Sequence, residues 1–265
     1  MGGKVRVATI AGIPIGSAGQ PVVDQSYWDR HNAEIALRYD PTHVAFSALF
    51  DRYVPRAGPN ATCFEVGCYP GNFLIHFGRR FGYRASGIDA TPLVLDRMRQ
   101  YLEAHDVVVH RLYQGDFFTF DSPEPYDLVC SFGFVEHFER FEDVLGRHVD
   151  LVKPGGTLVV SCPNFRGLQY VLHRVLDGAN LQRHVLRAMD VGRWRRLLEA
   201  RGMQIVHDGY HGTMDFWSDS PAQTPYHKSA ARFVRRVAQT LDRRFHWPNR
   251  LTSPHLISIS RKPAR

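Results

Sequence analysis

Between residues 61 and 210, short apolar runs alternate with longer stretches whose apolar residues recur three and four positions apart. The runs ATCFEV (61–66), RASGID (84–89), VVVHRL (107–112), DLVCSF (127–132), TLVVSC (157–162) and MQIVHDG (203–209) read as strands. NFLIHFGRRF, LVLDRMRQYLEAH, EDVLGRHVDLV and VGRWRRLLEAR read as helices. Strands that alternate with helices need crossover connections, which implies a parallel sheet covered by helices on both faces. Pro154-Gly155-Gly156 is predicted to stop the helix EDVLGRHVDLV and turn the chain into the fifth strand.

Three stretches fall outside this rhythm. PNFRGLQYVLHRVLDGANLQRHVLRAMD (163–190) inserts a helical segment after the fifth strand, and 211–253 is loop-like before a helix at ARFVRRVAQTLDRRF. A last strand, HLISISRK (255–262), is expected to add an edge to the sheet. Ahead of the core, DQSYWDRHNAEIALRYD (24–40) reads as a helix. The expected organisation is a flexible arm over 1–23, a helical lid over 24–57, and a core over 58–265 with cap insertions at about 163–190 and 211–253. There is no internal repeat and no low-complexity tract.

A hydrophobic share of 44% and a charged share of 22% are those of an ordinary globular domain, and 265 residues suffice for a full core. No apolar run approaches the roughly 20 residues that cross a bilayer. VATIAGIPI is too short and too broken by Gly and Pro for a secretion signal, and Arg6 stands where a myristoylation signal needs Ser or Thr. The reading is therefore a cytoplasmic protein. Cys63, Cys68, Cys130 and Cys162 lie in or beside strands without metal-finger spacing, as reduced structural thiols do. The net charge of +7 comes largely from arginines late in the chain, whose spacing suits solvated helix faces.

The chemistry-bearing residues gather at strand ends. CFEVGCYPG runs an apolar strand into Glu65, then Gly67 and Gly71; Asp89 and Asp116 close the next two runs. Gly67 and Gly71 lack the close glycine pair that seats a pyrophosphate, and Glu65 would repel a diphosphate. A cation beside the turn and a ribose at the second strand end fit S-adenosylmethionine instead.

The segments FEVGCYPGN, GIDATP, QGDFF, YDLVCSFGFVEHF and LVKPGGTLVVSCPN, in this order, resemble the motifs of class I S-adenosylmethionine-dependent methyltransferases over roughly residues 61–210. That resemblance implies an α/β, Rossmann-like, mostly parallel seven-stranded sheet. It implies that Glu65, Gly67, Cys68, Tyr69, Gly71 and Asn72 surround the methionine portion of the cofactor. Asp89 would bind the ribose hydroxyls with Ala90 beside the adenine, Asp116 and Phe117 would hold the adenine, and Ser131, Phe132 and Gly133 would form the floor. Tyr69 and Pro70 depart from the family's third glycine. Quinone-methylating relatives hold a metal with a Glu three residues before the Glu-His pair; here that position is Gly133, so no metal is expected.

Methyl transfer to a hydroxyl needs alignment, exclusion of water and a base. His137 in FVEHF is the candidate base by position and type, with loop orientation as the plainer alternative. Tyr27, Trp28, Tyr170, His184 and His211 are candidate acceptor contacts, together with Asp215, Phe216 and Trp217. The reading is a methyltransferase acting on a hydroxyl of a small molecule or glycan, with a homodimer compatible. N-methylation of a small heterocycle is the alternative; an RNA substrate rests on the positive charge alone. A partner protein that only binds cofactor and a NAD-binding oxidoreductase remain as the non-methylating rivals.

Overall fold

The computed structural model describes residues 21–218 and 225–264. Seven strands form one sheet: β1 (Thr62–Val66), β2 (Arg84–Asp89), β3 (Val109–Gln114), β4 (Tyr126–Phe132), β5 (Val152–Pro163), β6 (Gln204–His211) and β7 (His255–Arg261). Their order is β3-β2-β1-β4-β5-β7-β6, parallel except where β7 pairs antiparallel with both β5 and β6. Every residue of β1 is buried because both sheet faces are covered, which is why the strand reads as an unbroken apolar run.

The nine helices described are α1 (Gln25–Glu34), α2 (Ser47–Tyr53), α3 (Asn72–His76), α4 (Arg97–Glu103), α5 (Phe141–Asp150), α6 (Leu168–Leu176), α7 (Gly178–Leu181), α8 (Val191–Ala200) and α9 (Pro225–Arg244). Phe141 of α5 and Trp194 of α8 pack with Phe64 and Val66 on one sheet face. Leu74 and Ile75 of α3, Met98 and Leu102 of α4 and Phe50 of α2 pack with Cys63 and Cys130 on the other. The four cysteines are buried and unbridged, as expected.

Three expectations are corrected. The last strand is not an edge: β7 lies inside the sheet with Leu256, Ile257, Ser258, Ile259 and Ser260 all buried, and β6 takes the edge. Pro154-Gly155-Gly156 does not stop the helix, which ends at Asp150; it forms a bulge inside β5. There the pairing jumps from Tyr126↔Val152 to Leu128↔Thr157, and Gly155 takes φ 80°. The stretch 24–40 is helical only to Glu34. Smaller shifts follow from capping. Val107 turns back to the Leu102 carbonyl at the end of α4, so β3 begins at Val109, two residues later than the pattern implied. The stretch 72–81 is a short α-helix continued by one π-helical turn over Phe77–Phe81.

Of the expected arm, residues 1–20 lie outside the described residues. Its end is tied down: Pro21 bridges to Phe138, and the Val22 N–H donates to the His137 carbonyl at 2.8 Å. Gly87 in β2 sits under the turn after β1. A Cβ there would lie 2.7 Å from the Cys68 Cβ and 3.0 Å from the Glu65 carbonyl oxygen. Gly87→Ala is expected to lower stability by about 1–3 kcal/mol and to displace that turn; urea unfolding and cofactor titration of the variant measure both.

Candidate active site

The carboxyl ends of β1, β2 and β4 meet at one edge of the sheet, which is where open α/β sheets bind ligands. Gly67 takes φ 68°, and a Cβ on it would lie 2.8 Å from the Phe134 ring, so both backbone and space demand glycine. Its N–H and that of Cys68 converge on the Ile88 carbonyl, which fastens the turn to β2. Gly71, at φ 97°, starts α3 against Met98 and Leu102. The Cys68 thiol is buried against Gly87, so only the backbone of Cys68 faces the turn's open side.

Glu65 is buried, and its Oε2 has no hydrogen-bond partner. Burial, and then the nearby charge of Asp89, push its carboxyl well above the ordinary range. Asp89 accepts the N–H of Tyr69 on Oδ2 and of Thr91 on Oδ1, both at 3.0 Å. Burial raises its carboxyl too, against the pull of those hydrogen bonds. Two adjacent carboxylates with an orphaned oxygen form a site for a positively charged ligand. Asp116 closes an Asx turn by accepting the Phe118 N–H, and Phe117 packs on Phe118, Phe134 and His148. Asn72 accepts from the Tyr101 hydroxyl, and Ala90 is partly exposed beside Asp89.

A cavity of about 470 Å³ opens above β4 and β5. Tyr27, Trp28 and His31 of α1 form one wall, Asn180, Arg183 and His184 another, and Phe132, Gly133 and Pro163 contribute the strand ends. Phe132 is stacked on Phe73 with centroids 3.6 Å apart, and the Gly133 N–H donates to the Ser161 carbonyl. Ser131 is fully buried. The structure brings Tyr27, Trp28, His137, His184 and Trp217 to this cavity; Tyr170 and His211 are not in its lining. Tyr170 instead accepts from Arg174, and His211 lies behind Phe46.

His137 and His184 face each other with ring centroids 4.7 Å apart. The Nδ1–H of His137 donates to the Arg183 carbonyl at 2.8 Å, and that of His184 to the Asn180 carbonyl at 2.7 Å. Each Nε2 is therefore left with its lone pair. Burial pushes His137 down to about 4; burial, then the neighbouring His137, push His184 to about 3.

The comparisons with known proteins agree with this geometry. A family profile described as "Methyltransferase domain" matches residues 37–208. The chain belongs to the methyltransferase-domain family.

The methyltransferase is 27% identical over 182 residues to the ubiquinone biosynthesis O-methyltransferase of Pseudomonas paraeruginosa, covering 64% of this chain and 75% of that protein. The protein of the same name from Xylella fastidiosa is 25% identical over 181 residues, covering 64% and 71%. Among solved structures, geranyl diphosphate C-methyltransferase from Streptomyces coelicolor A3(2), in complex with Mg2+, geranyl diphosphate and S-adenosylhomocysteine, superposes with a TM-score of 0.58 at 14% identity. That match covers 89% of this chain and 96% of the other. The methyl donor is S-adenosylmethionine, and the orphaned Glu65 beside Asp89 fits its positive charge.

Sequence reasoning missed several lining residues of the methyltransferase. Arg183, Asn180 and Phe165 come from the cap, Phe46 from the loop before α2, and His255 from β7. His255 stacks on Trp217 at 5.1 Å, a pairing hidden until β7 is known to lie inside the sheet. The expectation of no metal rested on Gly133. The structure places a third ligand-type group elsewhere: atoms of Glu136, His137 and His184 lie within 4.8 Å of one another.

Two outcomes follow from the buried acids. Cofactor binding should ionise Glu65, so calorimetry with S-adenosylhomocysteine in buffers of different ionisation enthalpy should show proton release, and Glu65→Gln should abolish that release while weakening binding about tenfold or more. Glu136 is buried with an unpartnered Oε2, and burial raises its carboxyl to about 8. A raised acid stabilises the fold below the ordinary carboxyl range, and that contribution is lost as pH climbs through about 8. Thermal melts should show wild type losing stability against Glu136→Gln over this window, by up to about 1.4 kcal/mol per pH unit.

Proposed function

We propose that this methyltransferase transfers a methyl group to a hydroxyl of a small aromatic molecule. The observation that carries this reading is a pair of imidazoles, His137 buried and His184 partly so, whose Nε2 lone pairs are fixed at the wall of an aromatic cavity. S-adenosylmethionine supplies a methyl group activated by its sulfonium. In this reading Glu65 and Asp89 hold the cofactor's positive and ribose portions, and the Gly67 turn lets the backbone approach it. The acceptor ring lies between Trp28 and Trp217, whose flat faces suit a phenol better than a sugar.

His137 takes the hydroxyl proton on Nε2, and the Arg183 carbonyl holds the opposite Nδ1–H in place. Glu136 Oε1 lies 3.9 Å from that Nε2, which sets a carboxyl oxygen beside the imidazolium that the transfer forms. The lid over 24–57 and the cap insertions at 163–190 and 211–253 exclude water from the transfer. The named activity of the two ubiquinone-pathway relatives supports a hydroxyl acceptor. We place the enzyme in the cytoplasm, where its donor is made; no helix among the described residues is long and apolar enough to cross a membrane.

The test is methyl transfer to a panel of phenols and catechols. His137→Ala should lower kcat by about 10²–10⁴ while leaving S-adenosylhomocysteine affinity intact. With His137 neutral down to about 4, kcat/KM should stay flat to about pH 5 and fall below it. Full turnover of His137→Ala on a nitrogen heterocycle would move the acceptor from oxygen to nitrogen. Turnover should survive a chelator; loss that Mg2+ or Mn2+ restores would assign the three converging groups to a cation.

A further inference from the structure

The face formed by α6 and α9 is apolar where it should be covered and basic around the margin. Leu172 and Leu176 of α6 meet Ala230, Ala231 and Val234 of α9 around the buried Phe216. On α6 the residues that turn into the body are Gln169 and His173; on α9 they are Ala231 and Ala238. At 100° per residue, Val171 and Val175 lie on the opposite side of the Leu172 contact. Phe233 and Val237 lie on the opposite side of the Val234 contact by the same rotation. The two helices therefore share one outward ridge of large apolar side chains. Val175 is 65% exposed, Phe233 68%, and Trp247, just past the end of α9, 72%. So broad an apolar ridge on a soluble surface marks an interaction site.

The charge around it selects the occupant. Lys228, Arg232, Arg235, Arg236 and Arg243 of α9 are exposed, and none of them takes part in a salt bridge among the described residues. The single acid of α9, Asp242, is engaged through Oδ1, which accepts the Thr213 N–H. Sequence α6 carries no acid at all. A second copy of this chain would bring the same cations to the same margin, so the ridge is not self-complementary. A nucleic acid would satisfy the arginines and leave Phe233, Val237 and Val175 without partners. An anionic bilayer surface satisfies both: apolar side chains enter the headgroup boundary and the cations meet lipid phosphates.

We propose that the α6–α9 ridge docks the enzyme on an anionic lipid surface. α9 lies in the plane of the interface, with Tyr226 at one end and Trp247 at the other, both exposed aromatics of the kind that sit at headgroup depth. α6 does not line the cavity but backs one residue of its wall. His173 of α6 packs at 4.0 Å on Phe165, which lines the cavity beside Trp217. The inference stands on the ridge and its charges and does not depend on the acceptor chemistry proposed above.

Vesicle flotation of the full chain tests it. Binding to phosphatidylcholine vesicles holding about one-third phosphatidylglycerol should exceed binding to pure phosphatidylcholine about tenfold or more, and should weaken as salt screens the arginines. The exposed double variant Phe233→Asp/Val237→Asp should bind at least about tenfold more weakly, with cofactor affinity and turnover on a soluble phenol unchanged. Equal binding to both vesicles, no binding to either, or full binding by the double variant would overturn the proposal. So would a dimer in light scattering, or salt-sensitive RNA binding, that the same variant abolishes. His137→Ala should dock as wild type does, so failure of the acceptor reading leaves this result untouched.

Discussion

A buried and a half-buried carboxyl at neighbouring strand ends, Glu65 and Asp89, set the character of one half of the candidate site. Glu65 and Asp89 sit at the tips of β1 and β2, which pair in parallel register through Glu65↔Gly87. Neither acid is comfortable there: each is raised by burial, and Glu65 also by its neighbour. A fold keeps such a pair only where something positive relieves it, because burying charge without a partner is costly. The turn that carries Gly67 and Gly71 exists to hold the two acids at one edge. Its fastening to Ile88 and its packing on Gly87 serve that same end.

The cavity above β4 and β5 follows the opposite rule. Glu136 and His137 are buried and His184 partly so; burial raises the acid to about 8 and holds the two imidazoles down near 4 and 3, which leaves all three uncharged at neutral pH. One edge of the sheet thus holds anionic demand beside a neutral, aromatic chamber. The two halves therefore favour ligands of different charge, a cation at the first and a neutral molecule at the second.

Most of the sheet was legible because its central strands are short apolar runs ended by Gly and acidic residues. β1, β2 and β4 begin and end within a residue of where the pattern put them. What misled was strand order. LISIS reads as a plausible edge until the burial of Ser258 and Ser260 shows that the face opposite Ile257 and Ile259 is covered as well. QIVHDGYH, with Gln204, His207 and Asp208, is the more polar run and takes the edge. The bulge at Pro154-Gly155-Gly156 was hidden because the same residues also end helices. In the site, motif spacing exposed Glu65, Asp89 and His137. It could not expose Arg183, Phe46 or His255, which reach the cavity from segments far apart in sequence and carry no local pattern.

The backbone around His137 is gripped from three directions. Val22 donates to its carbonyl, Val185 donates to the carbonyl of Glu136, and the Arg183 carbonyl holds its ring. These anchors belong to the N-terminal approach and to the cap, not to the strand that delivers the residue. Folding has therefore already frozen the imidazole's torsions, and the arrival of an acceptor has no side-chain entropy left to remove there. A loosening anywhere along the Pro21–Phe138 bridge would be felt first in the setting of this ring rather than in the fold as a whole.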